Sequence, residues 1–145
     1  MPVPRYATRE FHRFYLKITA FVVGSLGPIF ALGSYSPTAE PARFTLDLVA
    51  WNFSSFHALD APTARFLSAL IGGILMGWGM LIWFLATKVH AKAPEEVRQA
   101  VVGSICVWFV FDSGGSIASG NAFNAMSNTL IMLIGMGPLW WPARG

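Results

Sequence analysis

Asp112 stands inside a long apolar segment, and small polar side chains follow it at helical spacing: Ser116 and Ser119, then Asn121, Asn124 and Asn128. A carboxylate at membrane depth is costly to desolvate, so such a residue marks a partnered or functional position. At 100° per residue, Trp108, Asp112, Gly115, Ser116 and Ser119 fall on one stripe of a helix, while Asn121, Asn124 and Asn128 share a face of the next. A tight turn at Ser119-Gly120-Asn121-Ala122 turns those two faces together. Asp112 then lies about 12 Å along the helix from Gly120.

Two chemistries are open to this cluster. In the structural one, the carboxylate is satisfied by serine and asparagine partners and by nearby loop backbone. In the functional one, the cluster is the floor of a pocket, with Asp112 binding or relaying a proton or cation and the asparagines orienting a polar head group. Arg43 and Arg65, in the loop facing that end, are the candidate counter-charges. Trp78 and Trp108 lie deep in apolar segments, where they supply either packing area or a flat wall for a quinone, sterol or isoprenoid.

Other chemistry is sparse. His12, His57 and His90 fall in three separate regions and are expected at solvent or the interface, so no metal site is proposed. The single cysteine, Cys106, excludes an intramolecular disulfide. No glycine-rich phosphate loop with a lysine occurs, and no Ser-His-Asp set that the topology would assemble. No catalytic residue and no cofactor follow from these patterns.

The elements that must position the cluster are read from where charge is missing. With 54% hydrophobic and 12% charged residues, the chain has too little polar surface for an ordinary water-soluble domain. Uncharged runs extend from Ile18 to Ala39, from Phe66 to Thr87, from Gln99 to Phe111 and from Ser113 to Ala143. Since roughly 20 apolar residues cross a bilayer core, these predict four spanning helices near 15–35, 65–87, 97–118 and 122–141, in one membrane domain covering 1–145. The expected fold class is an all-α integral membrane protein, a four-helix transmembrane bundle. Phe44, Leu48 and Trp51 recur at helical spacing within 43–56, which predicts a short amphipathic helix lying in the interface over one end of the bundle.

Punctuation agrees with this division. Gly27-Pro28 should kink the first helix, with Ser25 or a neighbouring helix satisfying the freed carbonyl. Pro62 and Pro94 suit the first turns of the second and third helices, and Pro138 and Pro142 close the fourth. The basic start and apolar stretch ending in small residues at Ala31 and Gly33 also have the form of a secretory signal. The apolar run is longer than a signal core, so a retained helix is expected. In the second helix Ala69, Gly73 and Gly77 are spaced by four, with Ser68 and Gly72 widening the same groove, which predicts a close helix contact within the bundle or, alternatively, a dimerisation or ligand groove. Val22-Val23-Gly24-Ser25 and Val101-Val102-Gly103-Ser104 hint at duplicated hairpins.

Orientation follows from the basic residues. Arg5, Arg9, Arg13, Lys17, Lys88, Lys92, Arg98 and Arg144 flank one side of the proposed spans, against Arg43 and Arg65 on the other. The positive-inside rule therefore predicts cytoplasmic termini, in a bacterial inner membrane. The net charge of +3 then belongs to the face that meets anionic lipids and is no argument for nucleic acid.

The segments Ala39-Glu40-Pro41-Ala42-Arg43-Phe44-Thr45-Leu46-Asp47, Thr63-Ala64-Arg65-Phe66-Leu67-Ser68-Ala69-Leu70 and Trp108-Phe109-Val110-Phe111-Asp112-Ser113, with Ser116 to Asn121, resemble a group of small four-helix membrane proteins of α-proteobacteria. The likeness runs nearly the full length, and its motifs carry no assigned chemistry. Members are sometimes labelled as an excinuclease subunit, a label this chain contradicts because it has neither a nucleotide-binding motif nor zinc cysteines. More distantly, the layout is similar to DoxX-like membrane proteins, which implies architecture alone.

The expected function is non-enzymatic: binding of an amphipathic ligand (a lipid, quinone or isoprenoid) or of a partner membrane complex, with membrane lipids and a possible second copy as neighbours. The alternative is a proton- or cation-coupled transporter that uses Asp112.

Overall fold

The structure, a computed structural model, describes residues 8–51, 53 and 59–143. It is all-helical. Among the described residues five α-helices follow one another: α1 (Arg9–Leu32), α2 (Glu40–Ala50), α3 (Pro62–Phe84), α4 (Pro94–Ala118) and α5 (Ala122–Met136). A π turn (Leu85–Val89) extends α3, and a 3-10 turn (Gly137–Trp140) follows α5. Four of these units are long and apolar enough to cross a membrane. Their flanks expose large apolar side chains, Phe21 at 73% and Phe111 at 76% among them, far more than water tolerates in a monomer.

Local chemistry sets the boundaries. Thr8 caps α1 by accepting the Phe11 N–H at 3.3 Å, and α1 runs unbroken through Pro28. Ser25 donates to the Val22 carbonyl instead of the carbonyl that Pro28 frees. Pro62 and Pro94 open α3 and α4 at their first positions, where no N–H is needed. Between α4 and α5, Gly120 takes φ +83°. Its N–H donates to Ile117 O, and the Asn121 N–H to Ser116 O at 2.7 Å. This is a Schellman closure, and it needs a residue free of left-handed strain.

The helices form two pairs. α1 and α3 cross so closely that a Cβ on Gly79 would sit 2.6 Å from Gly24 Cα, and one on Gly72 2.5 Å from Ala31 N. Ser68 donates to Phe30 O across the same seam at 2.6 Å. The contact face therefore carries Gly72 and Gly79, opposite Gly24 and Gly27. This corrects the expected stripe of Ala69, Gly73 and Gly77. Nothing lies within 4 Å of a Cβ built on Gly73 or Gly77, because those glycines are rotated by about 100° or more off the seam. Gly103, the counterpart of Gly24 in the short repeat, also meets open space. The repeat does not extend to packing.

The second pair is α4 with α5. It is tied to the first at both ends. At the end carrying the described N-terminus, Leu16 and Ala20 of α1 bury with Ile82 and Ala86 of the α3 unit, Val97 and Val101 of α4, and Met136 and Leu139. Pro138 has no N–H for the Ile134 carbonyl one turn back, and the Tyr15 hydroxyl donates to that carbonyl instead. Thr19 donates to Gly135 O at 3.2 Å, and Arg98 to Leu139 O at 2.9 Å.

At the other end α2 bridges the pairs. Ala39 and Ala42 bury against Ile29, Phe30, Leu59 and Ala64. Trp51 stacks on Phe123 of α5, with ring centroids 5.2 Å apart. Phe44, Leu48 and Trp51 remain exposed on one side of α2. The helix ends at Ala50, short of the predicted 43–56; residues 52 and 54–56 of that segment lie outside the described ones, as do Arg5, His57 and Arg144.

Candidate functional site

The polar cluster is assembled by the α4–α5 hairpin. Asp112 Oδ1 accepts from Ser116 Oγ at 3.2 Å, Asn124 Nδ2 at 3.0 Å and Asn128 Nδ2 at 3.0 Å. Both amides make a second bond: Asn124 Nδ2 donates to Ser116 Oγ at 2.8 Å, and Asn128 Nδ2 to Ser113 Oγ at 3.3 Å. Asn128 is 3% exposed and Ser113 is also buried, so this network sits between the helices. Helical spacing brings it about, since Asp112 and Ser116 are one turn apart on α4, and Asn124 and Asn128 one turn apart on α5.

Sequence reasoning placed Ser119 and Asn121 in the same cluster, and the structure separates them. Asn121 Nδ2 donates to Ser119 Oγ at 3.2 Å, while Ser119 Oγ donates to Ser116 O at 3.1 Å. They form a local cap on the turn, which consumes their polar groups. Ser113 is the member that was not singled out. It lies off the Asp112 stripe, and only the approach of Asn128 reveals its role.

Neither arginine is a counter-charge. Arg43 is committed to Glu40 at 2.6 Å and Asp60 at 3.0 Å, because the α2 end brings those acids to it. Arg65 makes no ion pair with Asp112. Among the described residues, no salt bridge reaches the Asp112 carboxylate.

A cleft of about 330 Å³ opens between the two helix pairs. All four long helices line it: Ile18, Val22 and Leu26 from α1, Leu75 and Trp78 from α3, Ile105 and Trp108 from α4, Leu130, Ile131 and Ile134 from α5. Its walls are almost wholly apolar. Trp78 and Trp108 meet across it at a centroid distance of 6.4 Å and an angle of 51°. They are tilted, so they form a corner and not a flat wall. On α4 the lining residues are Ile105 and Trp108, with Asp112 and Ser116 following along the helix, and on α5 they are Gly135, Ile134, Ile131 and Leu130, with Asn128 and Asn124 following. Both faces pass from apolar to polar in the same direction, and Asp112 lies about 6 Å beyond Trp108 by helical rise. The lining of the cleft ends at Trp108 on α4 and Leu130 on α5, about one helical turn short of the polar cluster.

The histidines correct another expectation. His12 is fully buried and His90 is 3% exposed, because α1, the end of α3 and the start of α4 converge on them. Burial holds the His90 imidazole below its ordinary pKa, and the positive charge of His12, Arg13 and Arg9 acts the same way. Arg13 donates to Ala86 O at 3.2 Å and Thr87 O at 3.4 Å beside them, at the carbonyls of the π turn. No group of three metal-ligating side chains occurs among the described residues.

Comparison with protein-family models, with curated proteins and with solved structures finds no match to this chain. The site is therefore read from its own geometry.

Proposed function

We propose that this protein is a non-enzymatic inner-membrane protein that holds an amphipathic molecule, with the apolar chain in the cleft between the helix pairs and the head group at the Asp112 cluster. The observation that carries this reading is the cleft, lined by all four long helices, with a polar network about one helical turn beyond its lining. Apolar walls with a few convergent polar groups are the usual form of a small-molecule site. In this reading the termini are cytoplasmic, following the basic residues, and α2 lies at the opposite interface. Lipids, a second copy or a larger membrane complex are the neighbours it would meet.

The test fills the cleft. Ile131→Trp places a bulky ring at a lining position that is exposed within the chain. Native mass spectrometry of protein extracted with its lipids should show a bound amphiphile in the wild type and its loss in the variant, with thermal stability retained. Equal retention by both proteins would refute binding in the cleft.

A second reading, proton- or cation-coupled transport, is favoured by one observation: a carboxylate inside a spanning segment with no ionic partner among the described residues. Ion flux in vesicles that survives Asp112→Asn unchanged would remove it.

A further inference from the structure

The cluster is not neutral about what head group it would accept, because both amides turn their donors inward. Each Nδ2 of Asn124 and Asn128 makes two bonds inside the network. Ser116 Oγ donates to Asp112 and accepts from Asn124. The three donors to Asp112 all arrive on Oδ1. Among the described residues, no donor reaches Asp112 Oδ2 or the side-chain oxygens of Asn124 and Asn128. What remains for a ligand, beside the Ser113 hydroxyl proton, is a set of acceptors, one of them a carboxylate oxygen without a counter-charge, about one helical turn beyond the lining of an apolar cleft.

From this we infer that the ligand's head is an ammonium group: the site takes a long-chain amphiphile whose head carries a positive charge and only hydrogen-bond donors. A primary ammonium has three donors and no acceptor, which matches three open acceptors. It also supplies the cation that Arg43 and Arg65 do not, and a charge at membrane depth calls for an opposite one. A hydroxyl head can donate only once. A quinone head brings acceptors alone and would meet acceptors, so it fits worst of the ligands with a comparable chain. This inference rests on the proposed binding of a chain in the cleft, and specifies the head for the same site.

The experiment is a competition in non-ionic micelles, read by native mass spectrometry as protein–ligand adducts. The probes are hexadecylammonium, hexadecanol, decylubiquinone and ethylammonium, the last having the same head and no long chain. Non-specific attraction works against the expected result, because the protein's net charge is +3. Wild-type protein should retain hexadecylammonium about tenfold over hexadecanol, as expected for one charge-assisted contact. Decylubiquinone should be retained least, and ethylammonium should fail to compete. Asp112→Asn should bring ammonium and alcohol to parity while still retaining hexadecanol, which also shows that the variant is folded. Asp112→Glu should restore part of the preference.

Equal retention of amine and alcohol by the wild type would overturn the head assignment and leave chain binding in the cleft intact. Retention of none of the long-chain probes would overturn both. Ethylammonium competing as well as its long-chain counterpart would place the head without the chain, and so refute the link between cluster and cleft.

Discussion

Removing the charge of Asp112 and removing its hydrogen bonds are separable changes, because its three partners are all neutral donors. Asp112→Asn keeps an oxygen for them and should fold with a stability within about 1 kcal/mol of the wild type. Asp112→Leu removes the acceptor shared by two amides and a hydroxyl, leaving each amide only its second bond, and should cost about 1–3 kcal/mol. Thermal unfolding of both variants in detergent checks this, and equal loss by Asn and Leu would contradict it. His90 gives a pH prediction. Its folded-state pKa is lowered by burial and by the nearby cations of α1, so the unfolded chain binds the proton more readily. Stability from this source is present above the unfolded value of about 6.5 and is lost as pH falls below it. His90→Gln should flatten the fall in unfolding temperature between about pH 7 and pH 5. Within this cluster, Asp112, Ser116, Asn124 and Asn128 were legible in the sequence because local helical spacing determines their meeting. Arg43 and the buried histidines were not. Their surroundings depend on which distant segments converge, Asp60 on the one and the ends of α1 and α3 on the other, and no periodicity encodes that.

At the level of helices, the second element carried two overlapping sets of small residues, and spacing alone could not choose between them. The charge-free runs matched the number of helices long and apolar enough to span a membrane, because burying charge in lipid is the dominant cost. The contact face turned on one residue of register: Gly72 and Gly79 meet backbone, while Gly73 and Gly77 meet nothing. Gly79→Ala should therefore destabilise the protein by about 1–3 kcal/mol, since Gly24 and Ala20 present backbone atoms that cannot rotate away. Gly77→Ala should be neutral or stabilising by up to about 1 kcal/mol through helix propensity. The pair of unfolding temperatures decides the register, and a reversed order would return the contact to Ala69, Gly73 and Gly77. The joint between α1 and α5 has a comparable test. Tyr15→Phe leaves the Ile134 carbonyl without the donor that replaces the Pro138 N–H, and should cost about 1–3 kcal/mol.

For the whole molecule, orientation is the expectation that a surface probe reaches directly. Cysteine placed at Thr38 in a chain freed of Cys106 should react with an impermeant reagent outside intact cells, and cysteine at Ala91 should not. Labelling at position 91 from outside would reverse the arrangement. Composition made the all-helical class plain, but the division into two pairs with a gap between them was not readable. It depends on how four apolar faces share their neighbours, and each face alone looks equally ready to pack. The Pro138 break has a further bearing, on the order in which the chain is made. The carbonyls freed near the end of α5 take their donors from Tyr15 and Thr19, residues that leave the ribosome more than a hundred positions earlier. Because domains form from the N-terminal side during synthesis, α1 and α3 are seated while those two hydroxyls still await their acceptors. Synthesis of Ile134 and Gly135 is thus what latches the first helix, and a chain stalled before Ile134 would leave Tyr15 and Thr19 without those acceptors.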